Sequence, residues 1–123
     1  NRSWYIGTYT DGDSLQVILS SNGSTFNRYL GGNISDGQWH YVSFSFSSGN
    51  VKLYIDSVPQ NITQIGGNVI NSLYNPIIDT KIGSVYGGNF FNGKISQIKI
   101  YNKILTESQI QQNYNALKTR FGL

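Results

Sequence analysis

The sequence predicts an all-β fold: an antiparallel two-sheet jelly-roll sandwich with one short C-terminal helix. Three observations carry that reading. Apolar and polar residues alternate with a period of two along several short runs, which is the strand signature. Turns containing Gly, Asn and Asp separate these runs with no helical segment between them, so neighbouring strands pair antiparallel. Apolar residues recur at helical spacing in one place, after Thr106.

The clearest run is DGQWHYVSFSFSSGNVKLYID, from Asp36 to Asp56. Val42, Phe44 and Phe46 fall on one side of its first half, Tyr41, Ser43 and Ser45 on the other. Val51, Leu53 and Ile55 then share a face opposite Lys52, Tyr54 and Asp56. Ser47-Ser48-Gly49-Asn50 between them is a hairpin connection. One face is apolar, so the hairpin requires a second layer.

Upstream, residues 4–9 (WYIGTY) are β-prone and stop at the Asp11-Gly12-Asp13 turn. Leu15, Val17 and Leu19 alternate with Gln16 and Ser20, and Ile18 falls on the polar side. Asn22-Gly23 reads as a two-residue type I′ turn, which needs positive φ at both positions. Phe26, Arg28 and Leu30 form the partner strand, broken by Gly31-Gly32-Asn33.

Residues 57–80 carry Pro59, Gly66-Gly67, Asn71 and Asn75-Pro76. They read as loop with one short strand near 62–65. Residues 81–86 are expected as a short strand, Gly87-Gly88-Asn89 as a turn, and 91–101 as the long final strand. In that strand Ile98 and Ile100 share a face opposite Gln97, Lys99 and Tyr101. Thr106-Glu107-Ser108-Gln109 then forms a capping box, with Leu105 and Ile110 as a hydrophobic staple. Ile110, Tyr114 and Leu117 make the docking stripe of a helix of about three turns.

Composition narrows the class. The chain has 123 residues, enough for one domain with a usable core. Charged residues make up only 12%, whereas Asn, Ser, Gly and Tyr abound, which suits a sandwich with many turns. The absence of cysteine removes disulfides and thiolate metal sites. No stretch approaches the ~20 apolar residues of a membrane span. Neither an initiator methionine nor a signal segment stands at Asn1, so the chain is expected to be the C-terminal part of a longer protein. The net charge of +3 is carried partly by Lys94, Lys99, Lys103, Lys118 and Arg120. No nucleic-acid-binding fingerprint accompanies them, and two sit where a helix C-terminus favours cations.

Two blocks resemble a known family. Trp39-His40 before an alternating strand, followed by Lys52-Leu53-Tyr54-Ile55-Asp56, resembles the central hairpin of laminin-G-like domains. Phe91-Asn92-Gly93-Lys94-Ile95, then Ile98-Lys99-Ile100-Tyr101-Asn102-Lys103, Leu105 and Thr106-Glu107, resembles their closing strand and helix. These domains belong to the concanavalin A-like lectin/glucanase superfamily. The resemblance implies a single laminin-G-like domain over residues 1–123. It also implies that one or two opening strands of the family are missing here. The edge so exposed is expected to be covered by upstream sequence or by a neighbouring subunit.

Glycosidases of this superfamily use two carboxylates on one strand, roughly 5 to 9 Å apart. The six carboxylates here are Asp11, Asp13, Asp36, Asp56, Asp79 and Glu107, and none lies in such a strand pattern. His40 is the sole histidine and lacks a nucleophile elbow or thiol, so it reads as a satisfied strand residue. The chain is read as non-enzymatic. Calcium, which relatives often bind at a rim, has a candidate set in Asp11, Asp13 and Asp79. The competing reading is that Asx-rich turns form through their own side chains.

Tyr74-Asn75 and Tyr86-Gly87-Gly88-Asn89-Phe90 pair aromatic faces with amides, the chemistry that reads sugar rings. Tyr74, Asn75, Tyr86, Asn89 and Phe90 are therefore the candidate contacts, either to glycans or to neighbouring protein subunits, since Tyr suits both. Three Asn-x-Ser/Thr triplets begin at Asn22, Asn33 and Asn61; Asn22 is already explained by its turn. The module style resembles those on bacteriophage virion proteins and bacterial surface proteins. That likeness implies a recognition, adhesion or decoration module in a multi-copy assembly, on a virion surface or outside a cell. A purely structural module built on protein contacts is the alternative.

Overall fold

The computed structural model describes residues 3–75, 77, 80–85 and 89–123. Its strands are β1 (Trp4–Thr8), β2 (Ser14–Leu19), β3 (Asn27–Asn33), β4 (Val42–Ser47), β5 (Asn50–Ile55), β6 (Val58–Pro59), β7 (Thr63–Ile65), β8 (Ser84–Val85) and β9 (Asn89–Phe90). One helix, α1 (Glu107–Phe121), follows. The order β1-β2-β3-β7 makes a four-stranded antiparallel sheet, and β4-β5-β6 a three-stranded one; β8 and β9 form a separate ribbon. The two-layer, all-β architecture with its C-terminal helix is the one that the alternation predicts.

The sheets face each other through the residues that the pattern selects. Val17, Leu19, Tyr29, Leu53 and Ile70 form the buried cluster, with Trp4, Ile6, Phe44, Phe46, Val51 and Ile62 packed around it. Trp4 and Phe44 meet across the layers with ring centroids 6.0 Å apart. In the β4–β5 hairpin Phe44 pairs Leu53 and Ser47 pairs Asn50, leaving Ser48-Gly49 as a two-residue turn. Their φ values, 43° and 87°, are both left-handed, as a hairpin that follows the strand twist requires.

That geometry corrects the expectation at Asn22-Gly23. Leu19 pairs Asn27, so seven residues rather than two connect β2 to β3. The loop substitutes side chains for ladder partners: Ser20 Oγ accepts from the Gly23 N–H at 2.8 Å, and Asn22 Oδ1 from those of Ser24 (2.9 Å) and Thr25 (2.8 Å). Gly31-Gly32-Asn33 does not break the strand either, because all three belong to β3. The glycines let β3 pass close to its neighbours. A Cβ on Gly31 would lie 3.3 Å from Leu53 Cδ1, and one on Gly32 would collide with Gln60 Oε1.

The 57–80 segment contributes more order than expected, with β6 on β5 and β7 on β3. Its strand near 62–65 is observed as Thr63–Ile65. The 81–86 strand shortens to Ser84–Val85. The long final strand at 91–101 is not formed, since those residues carry no strand pairing. Ile95, Ile98 and Ile100 are 48%, 47% and 69% exposed, so the alternation there has neither a ladder neighbour nor a layer to cover it.

Helix α1 forms as its capping box dictates and runs for 15 residues rather than about three turns. Thr106 Oγ1 accepts from the Gln109 N–H at 3.2 Å, and Gln109 Oε1 from that of Thr106 at 3.0 Å. Gly122 closes the helix in the left-handed region at φ 71°. Ile110 is buried and Tyr114 and Leu117 half-buried, as the stripe predicts. The helix packs on the segments that flank the three-stranded sheet: Tyr114 meets Tyr41 at 6.3 Å, Phe121 meets Trp39 at 5.3 Å, and Gln111 Oε1 accepts from Ser57 Oγ at 2.9 Å.

Candidate functional site

Loops at one rim of the sandwich make a polar cleft. The β2–β3 loop and residues 66–75 are fastened to each other in two places. Asn27 is fully buried and donates from Nδ2 to the Asn68 carbonyl. The Tyr74 N–H donates to the Ser20 carbonyl at 2.8 Å. Between these ties lies a cleft of about 230 Å³, lined by Ser21, Asn22, Thr25, Asn68, Val69 and Ile70. Its floor is apolar, since Ile70 is 1% exposed, and Val69 stands out as an apolar lip. Hydroxyls and amides around such a floor can exchange hydrogen bonds with a polyhydroxylated ring while its C–H surface meets the aliphatic side chains.

The candidate contacts divide between places. Tyr74 and Asn75 belong to this rim, because Tyr74 is tied to the residue before Ser21. Asn89 and Phe90 lie on the β8–β9 ribbon, with Phe90 75% exposed. Tyr86 and Asp79 fall outside the described residues. The cleft residues Thr25, Asn68 and Val69 were not singled out by sequence reasoning. Their signal was present as two Asn/Ser/Thr-rich stretches, but nothing local joins residue 25 to residue 68.

The Asp11-Gly12-Asp13 turn is self-satisfied. Asp11 Oδ1 accepts from the N–H groups of Asp13 and Ser14 at 2.9 and 3.0 Å, and Oδ2 from the Ser14 hydroxyl at 2.7 Å. The Ser14 hydroxyl is the leading cause of a carboxyl pKa below its ordinary value. Among the described residues no group of three or more His, Cys, Asp or Glu side chains is arranged to hold a metal ion. Asp79, the third residue of the calcium set, lies outside the described residues.

His40 lies two residues before β4 rather than within a strand. Its Nδ1 meets Asp56 Oδ2 at 2.7 Å and its Nε2 meets Asp36 Oδ1 at 3.0 Å. Burial opposes its charge, but hydrogen bonds to Asp56 and then Asp36 outweigh it, so the imidazole pKa is raised. The Gln38 N–H, then His40, lowers that of Asp36. Asp56 Oδ1 also accepts the Tyr41 N–H at 2.8 Å. Asp56 itself sits at a left-handed φ of 51°. Each carboxylate is thus engaged with the imidazole and a backbone N–H. The arrangement clamps the 36–41 segment to the end of β5.

Glu107 anchors the helix start, its Oε1 accepting from Lys52 Nζ at 3.2 Å and from the Tyr54 hydroxyl at 3.4 Å. Both Lys52 and Glu107 are mostly exposed, so this pair contributes little to stability. Among the described residues no helix is long and apolar enough to cross a membrane.

Comparison with known proteins agrees with the architecture. No curated protein and no solved structure matches the chain. The laminin-G family model described as the concanavalin A-like lectin/glucanases superfamily matches residues 1–111, which include every strand and the start of the helix. The chain belongs to that superfamily.

Proposed function

We propose that this chain is a non-enzymatic recognition module that binds glycans at its loop rim and is displayed in many copies on a virion or cell surface. The observation that carries the proposal is the cleft of about 230 Å³ between Thr25 and Asn68, polar at its walls and apolar at its floor. Its walls are set by hydrogen bonds within and between the loops, so a ligand meets side chains already in place. A cleft of about 230 Å³ is smaller than the usual ligand pocket, which gives weak single contacts. Repetition over many copies raises overall avidity by about 10² to 10⁴. The superfamily's use as carbohydrate-binding and adhesion modules supports the class.

A glycan array followed by titration of the hits tests the reading. Saturable binding is expected, weakened at least tenfold in Asn68→Ala. Binding that is unchanged in Asn68→Ala but lost in Phe90→Ala would move the site to the β8–β9 ribbon. No binding across the array would contradict the proposal.

A structural role through protein contacts is the second reading. Ile77, Val69, Phe90 and Ile100 are 104%, 74%, 75% and 69% exposed, and in an assembly such side chains are covered. Concentration-dependent association in sedimentation, with no glycan bound, would favour it.

A further inference from the structure

We propose that the outward face of the four-stranded sheet is a second binding surface, which takes the carboxylate of an acidic saccharide on Arg28. The inference rests on the recognition reading for its ligand class, but it concerns a different face and different residues. Strand register places Tyr5, Ile18, Arg28 and Ile65 in one cross-sheet row, and Gly7, Gln16, Leu30 and Thr63 in the next. Side chains directly opposite one another share a face. The core residues Val17, Leu19 and Tyr29 alternate with these, so both rows point away from the core.

Arg28 is half-buried on that face and makes no ion pair with any carboxylate among the described residues. Its guanidinium carbon lies 5.0 Å from the Tyr9 ring centroid. Its Nε is sealed from solvent without a hydrogen-bond partner. Gln16, diagonal to it, is only 7% exposed. The Gln16 amide donates to the Thr8 carbonyl, while its Oε1, also sealed, accepts nothing. A buried guanidinium Nε–H and a buried amide carbonyl on one face, neither with a hydrogen-bond partner, carry a cost that a folded protein rarely leaves unmet.

One ligand chemistry answers both. A carboxylate matches the planar guanidinium in a way that a neutral sugar does not. A hydroxyl beside that carboxylate can donate to Gln16 Oε1. The ring of Tyr5 lies across Gly7, where a Cβ would meet its hydroxyl, so glycine keeps this ring flat on the sheet. Tyr5 and Tyr9 therefore border the charge, and the Tyr9 ring, once the guanidinium moves, can meet the C–H groups of a sugar ring. Because Nε is sealed, the ligand meets the outer edge of the guanidinium first and draws it off the Tyr9 ring. Gln16 Oε1, itself sealed, is reached only once the side chains over it move as well.

Tri-galacturonate and its methyl ester are the probes, followed by NMR of the Arg28 Nε–H and the Tyr9 ring. The acid is expected to bind and shift both resonances, and the ester to bind at least tenfold more weakly. Followed on the Tyr9 ring alone, affinity for the acid is expected to fall at least tenfold in Arg28→Gln and to recover in part in Arg28→Lys. Asn68→Ala, in the rim cleft, is expected to leave it unchanged, which separates this site from the rim. Preserved near-ultraviolet circular dichroism of Arg28→Lys shows that the fold is intact. Equal binding of acid and ester, an unchanged response in Arg28→Gln, or no binding would each overturn the proposal. Binding of an acidic peptide in place of the saccharide would overturn the ligand class.

Discussion

The β4–β5 hairpin and the 91–105 segment carry the same kind of pattern and end up in opposite states. In the hairpin, Phe44 and Leu53 sit side by side, and Leu53 is 1% exposed. In the later segment, Ile98 and Ile100 alternate just as regularly yet stand 47% and 69% exposed, with no ladder partner. The difference is not in the residues but in what closes the hydrogen bonds. A left-handed Ser48-Gly49 turn folds the hairpin back on itself, so each strand supplies the other's partners. Residues 92–105 find no such partner among the described residues, the β8–β9 ribbon ending where the Phe91 N–H donates to the Gly83 carbonyl at 2.9 Å. Alternation states which face is apolar; a neighbour decides whether a strand exists.

Truncating equal amounts of side chain in the two regions sharpens the contrast. Leu53→Ala removes a buried side chain from between the sheets and should cost about 2 to 5 kcal/mol in urea unfolding. The His40 clamp comes next. His40→Gln should cost about 1 kcal/mol through its contact with Asp56, and should change the pH profile. The raised imidazole pKa means that this stability is fully present below the ordinary value of 6.5 and is lost as pH rises through the folded value. The wild-type protein should therefore lose this stability as pH rises above 6.5 and through the folded value, and the variant should not. The lowered Asp36 pKa works in the opposite sense, its contribution falling away as pH drops below 3.8. Smallest of all, Ile100→Ala should change stability by no more than about 0.5 kcal/mol. A cost matching that of Leu53→Ala would show the 91–105 segment to be packed as a strand.

Much of the fold was legible because the relevant signals are local. The capping box at Thr106, the alternation on both sides of Ser48-Gly49 and the stripe through Ile110 each specify their element within a few residues. The misreadings arose where side chains replace the expected backbone device. Asn22-Gly23 looks like a two-residue turn, but Ser20 and Asn22 offer acceptors to the loop's own N–H groups, which stabilises a longer connection. Gly31 and Gly32 look like a break, yet they serve a strand that passes close to Leu53 and Gln60.

The site was less legible, because it is assembled from residues far apart in the chain. His40 was legible as a satisfied residue but its partners were not: Asp36 stands four residues before it and Asp56 sixteen after. Asn68 reaches the 20–27 loop through the buried Asn27, an asparagine that gives no local sign of its burial.

The most direct test of the recognition account is a backbone amide shift map during titration with a glycan that the array selects. The account predicts perturbations confined to Ser21, Thr25, Asn68, Val69 and Tyr74 for a neutral glycan, with the β4–β5 hairpin silent. Shifts spread over the hairpin and helix α1, or absent from the rim altogether, would contradict it.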